Sequence, residues 1–119
     1  MSKTKVLIAG SNSPILAMDL QNQLEMFDCK VNVIGELNNL MVSVSLDKPD
    51  VVFIHFHEFT HNAIDLSRQI NERFSIPTIF MVNLDSFKDV VESIEDQNIL
   101  GCLDIPINSK QLTYLLQQV

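Results

Sequence analysis

The chain has 119 residues, 46% apolar and 19% charged, with only three Gly and four Pro and a formal net charge of −7. That length and composition exclude a linker or disordered tail and predict one compact domain over residues 1–119. The negative charge argues against a nucleic-acid partner, which would be held by clustered Lys and Arg.

The elements follow in chain order. Residues 5–9 form an apolar run containing β-branched residues and predict a first strand. Gly10-Ser11-Asn12-Ser13 makes a turn in which Ser13 caps a helix starting at Pro14, with its buried face at Leu16, Leu20, Leu24 and Phe27. A second strand is expected over residues 31–34, then a helix with Leu37, Leu40, Met41 and Val44 inward. Residues 51–56 are apolar at almost every position, as in a strand covered on both faces. Ala63, Leu66, Ile70 and Phe74 mark a third helix, and residues 78–82 a fourth strand. Phe87, Val90, Val91 and Ile94 mark a fourth helix capped by Asp85 or Ser86; residues 99–103 predict a fifth strand. Leu112, Leu115, Leu116 and Val119 form the inward stripe of a last helix capped by Asn108 or Ser109. That stripe runs to the final residue without a stop signal, which suggests the N-terminal part of a longer protein.

Five alternating strand–helix units predict an α/β fold with a parallel sheet covered by helices on both faces. Ligands of such sheets sit beyond the carboxyl ends of the strands, so the informative residues follow Ala9, Ile54, Val82 and Leu103. No apolar stretch is long enough for a membrane span, and the start is too short for a secretory signal. Cys29 and Cys102 lack a CxxC spacing and read as reduced thiols; a cytoplasmic protein is expected.

All three histidines, His55, His57 and His61, fall at the carboxyl end of the central strand. Three imidazoles so placed can bind Zn²⁺; the plainer reading has His55 filling a pocket and the others at the surface. The Gly10–Ser13 loop before a helix N-terminus can receive a small anion, or be an ordinary capped turn. These two features make a metal or small-anion sensor the alternative function. The lack of Trp and the single Tyr114 argue against a flavin site. Asp85, Asp89, Glu92, Glu95 and Asp96 give the fourth helix an acidic outer face.

The segments KVLIAGSNSPILAMDLQNQLE, KPDVVFIHF, IDLSRQINERFSIPTIFM, GCLDIP and SKQL together resemble the receiver domain of response regulators, particularly receivers at the N-terminus of multidomain sensor kinases. The resemblance covers essentially the whole chain. It implies a flavodoxin-like, doubly wound (βα)5 sandwich with strand order 2-1-3-4-5. It also implies a degenerate phosphorylation pocket. The family's two Mg²⁺-binding acids align with Gly10 and Ser11, its phosphoacceptor Asp with His55, its hydroxyl residue with Val82 and its lysine with Ile105. The proline after that lysine is kept as Pro106, and the aromatic switch residue aligns with Cys102. Mg²⁺ needs hard anionic oxygens and the acyl phosphate needs a carboxylate, so this chemistry is expected to be lost. Asp50 lies about 16 Å away at the other end of its strand at ~3.3 Å per residue and cannot substitute.

The resemblance therefore implies a pseudo-receiver: a non-enzymatic, phosphorylation-independent interaction module of a two-component-type system with no cofactor. Partners would be other signalling proteins, downstream domains of the same chain, or a second copy through the fourth helix, fifth strand and fifth helix. Lys88, Gln97, Cys102, Lys110, Tyr114 and Gln117 are the candidates on that face.

Overall fold

A computed structural model describes residues 4–9, 14–34, 39–55, 60–82, 99–104 and 107–119, with backbone alone at 14–16, 60–64, 82 and 99–104. The strands are β1 (Thr4–Ala9), β2 (Cys29–Ile34), β3 (Val51–His55), β4 (Thr78–Val82) and β5 (Ile99–Asp104). The helices are α1 (Pro14–Met26), α2 (Leu40–Asp47), α3 (Thr60–Phe74) and the C-terminal α4 (Ser109–Leu116). All strand pairs are parallel, in the order β2-β1-β3-β4-β5, as expected. The expected helix over residues 87–94, Leu37 and Phe56 lie outside the described residues.

Period-two alternation divides the core. Leu7, Ala9, Val52, Ile54 and Phe80 point to one face and pack with Leu40 and Val44 of α2 and Ile70 of α3. Val6, Ile8, Val51, Phe53, Ile79 and Met81 point to the other and pack with Leu20 and Leu24 of α1 and Leu112 and Leu115 of α4. Every residue of β3 is buried, which explains why its sequence shows no polar alternation.

Two expected core positions are corrected. α1 ends at Met26, and Phe27 falls in the following turn, 41% exposed, because Asp28 enters the left-handed region (φ 63°) and redirects the chain. Val119 is 45% exposed: α4 ends at Leu116, and the closing turn, Val119 N–H to the Leu116 carbonyl at 3.2 Å, takes it off the helical stripe. β2 also begins two residues early. Its register pairs Thr4 with Cys29 and Lys5 with Lys30, and the polar Lys30 masks that start in an apolar count.

The Asn108 side chain caps α4 as anticipated, accepting from the backbone N–H of Lys110 at 2.9 Å and Gln111 at 3.3 Å. The Ser13, Asp85 and Ser86 caps lie outside the described residues. Cys29 is a buried free thiol whose pKa is raised, first by burial and then by the Asp28 carboxylate. It starts β2 while Cys102 lies in β5, at opposite edges of the sheet, about 19 Å apart at ~4.8 Å per strand, too far for a disulfide between them.

α1, α2 and α3 are each followed by a non-glycine residue in the left-handed region: Asp28, Lys48 (φ 48°) and Ser75 (φ 57°). A Cβ there costs energy that glycine avoids. Ser75→Gly is expected to raise unfolding free energy by about 0.5–1 kcal/mol in urea titrations, and Ser75→Val to lower it by about 1 kcal/mol. A destabilised glycine variant would contradict this account of the cap.

Candidate functional site at the carboxyl edge of the sheet

The chain runs from β1 outward to β2, then returns to place β3 on the other side of β1, so strand order reverses between β1 and β3. At that switch β1 ends in Ala9, paired with Ile54, and β3 extends one residue further to His55, paired with Met81. β4 ends in Val82 beside Asp104 of β5.

His55 is 6% exposed. By alternation it shares the face of Val51 and Phe53, the side covered by α1 and α4, with Met81 beside it. An imidazole there fills volume, but it offers no anionic oxygen to a hard divalent cation. β1, β3 and β4 all end in residues without a carboxylate. Asp104 ends β5 two strands from β3, about 10 Å away at ~4.8 Å per strand. Asp50 sits at the opposite edge, where its Oδ2 accepts the Lys5 backbone N–H at 2.8 Å.

Gly10, Ser11, His57, Lys88, Gln97, Ile105 and Pro106 lie outside the described residues, as do the side chains of His61, Val82 and Cys102. The structure therefore brings together His55 and the strand ends at Ala9 and Val82. Among the described residues no group of three or more His, Cys, Asp or Glu could hold a metal. On α4 and at its C-cap, Lys110, Tyr114 and Gln117 are all exposed, at i, i+4 and i+7, opposite the buried Leu112 and Leu115. Tyr114 is 63% exposed.

One polar constellation escaped sequence reasoning. Lys5, Lys30, Asn32 and Asp47 converge at the amino edge, an arrangement set by the β1–β2 register. No periodic or motif signal marks it.

Scans against protein-family models and curated proteins gave no match. Solved structures do match. The N-terminal signal receiver domain of a two-component system response regulator from Bacteroides fragilis superposes with a TM-score of 0.82 at 14% identity, over 98% of this chain and 96% of that one. The signal receiver domain of an HD domain-containing protein from Pseudomonas fluorescens Pf-5 gives a TM-score of 0.82 at 17% identity, over 98% and 94%. The fold is that of a signal receiver domain. NtrX from Brucella abortus also contains this receiver fold, with a TM-score of 0.81 at 11% identity over 98% of this chain but 26% of its own, so there the fold is one portion of a longer polypeptide. In this chain β1, β3 and β4 lie side by side and end at the edge that holds His55.

Proposed function

We propose that this receiver-fold chain is a pseudo-receiver, a single domain over residues 1–119 that works in two-component-type signalling by protein contacts, without taking up a phosphoryl group. The observation that carries the reading is the buried His55 at the end of β3, where the receivers this chain resembles place the acceptor aspartate. Gly10 and Ser11 in place of the paired acids, Val82 in place of the hydroxyl and Ile105 in place of the lysine support it. Without an acyl phosphate to favour one conformer, the shift between conformers must come from a partner's differential affinity. The exposed Lys110, Tyr114 and Gln117 on α4 are the contact residues we favour, with Lys88, Gln97 and Cys102 completing the face; the partner is another signalling protein, a further domain of the same polypeptide or a second copy. No catalysis of its own is assigned. Among the described residues no helix is long and apolar enough to cross a membrane, which accords with a cytoplasmic setting.

Incubation with acetyl phosphate and Mg²⁺ is the direct test. The intact mass is expected to stay unchanged; a phosphoryl adduct mapped to an aspartate would sink the proposal.

A further inference from the structure

We propose that the amino edge of the sheet carries a second site, a notch that binds a small oxyanion, phosphate or carboxylate, between Lys5 and Lys30. The notch has a volume of about 50 Å³ and is walled by Lys5, Lys30, Asn32, Asp47 and Pro49. A buried water needs roughly 10–15 Å³ measured this way, so the space admits more than one water. Lys5 and Lys30 are register partners on neighbouring parallel strands and lie on the same face. Like charges so placed repel, and a bound anion relieves that repulsion.

The nearby acids bond to neutral donors and not to the two ammonium groups. Asp50 Oδ2 accepts the Lys5 backbone N–H at 2.8 Å, and Asp47 Oδ2 accepts Asn32 Nδ2 at 2.9 Å. Among the described residues no carboxylate lies within ion-pair distance of the Lys5 or Lys30 ammonium. Lys48 directly follows α2 but does not line the notch. Asp28, directly before β2, joins Asp47 and Asp50 at this edge, so the acids there match the lysines in number and the site rests on the adjacent Lys5–Lys30 pair, not on a net positive charge. The Asn32 amide keeps a second N–H for the ligand. Asp47 opposes the anion and limits affinity. Lys5 and Ala9 are four residues apart in β1, so the notch lies about 13 Å from the carboxyl edge at ~3.3 Å per residue.

The test uses the ¹⁵N-labelled full chain titrated with sodium phosphate, and separately with acetate, at ionic strength held constant with sodium chloride. Saturable shifts of the Lys5, Lys30 and Asn32 amides are expected. Binding should weaken about tenfold or more in Lys5→Gln/Lys30→Gln and tighten in Asp47→Asn. Comparing the two anions separates a phosphate site from a carboxylate site. Should the double variant fail to fold, Lys30→Gln alone serves. Shifts that never saturate, or that persist undiminished in the lysine variant, overturn the proposal.

Discussion

Ser67→Ala should lower the unfolding free energy by about 1–3 kcal/mol, Thr78→Val should do the same, and the double variant should cost less than the two losses combined. Ser67 of α3 and Thr78 at the start of β4 are both buried, and their hydroxyls hydrogen-bond each other across the turn through Ile76 and Pro77. The bond ties the helix to the strand in an otherwise apolar layer formed by Leu7, Val52, Ile70 and Phe80. Removing one hydroxyl strands the other away from water, and that desolvation cost dominates. Removing both leaves two apolar side chains in similar volume, which the layer accommodates. Urea unfolding of the four-member cycle measures the coupling, with midpoints shifting at constant slope. Strictly additive losses would show that the hydroxyls act independently and that the pair is not what fastens α3 to β4.

Most of this architecture is legible because the signals that encode it are local. The continuous apolar run at residues 51–54 reports a strand covered on both faces, and Leu20, Leu24, Leu112 and Leu115 report their buried stripes through the helical period. What failed was where an element ends. Phe27 and Val119 continue an apolar stripe on paper, but a left-handed Asp28 and a closing turn remove them from it. Backbone redirection by a non-glycine residue leaves no mark in hydrophobic periodicity. The site divides in the same way. His55 was identifiable because it interrupts an apolar strand, whereas the Lys5–Lys30 notch depends on the parallel register of residues 25 apart, which composition and spacing do not reveal. Asp50 was correctly assigned to the amino edge because distance along a strand is simple arithmetic at ~3.3 Å per residue.

His55→Asp places a carboxylate at the end of β3 and is expected to produce a less stable protein that acetyl phosphate and Mg²⁺ still fail to phosphorylate. The new side chain would enter a position 6% exposed, on the face of Val51, Phe53 and Met81. Burial disfavours the charged form, so the carboxyl in the folded state titrates above its unfolded value near ~3.9. The sign follows from linkage: below the unfolded pKa both states hold the proton and burial of charge costs nothing. As pH rises through that value the unfolded state ionises first, and stability falls until the folded group also ionises. His55→Asn has similar shape and no titration there, so it is the reference. The Asp variant should be about 1–3 kcal/mol less stable than the Asn variant at pH 7, with the gap closing toward pH 4. Under the pseudo-receiver reading proposed above, phosphorylation should stay absent, because the residues that correspond to the family's Mg²⁺ acids, hydroxyl and lysine, namely Gly10 and Ser11, Val82 and Ile105, carry no carboxylate, no hydroxyl and no ammonium in those respective places. A pH-independent gap would mean that the end of β3 is solvated, and phosphorylation of this single variant would mean that the edge still assembles a cation site. Both outcomes together would mean that His55 alone, and not the loss of the surrounding residues, keeps the native chain from accepting phosphate.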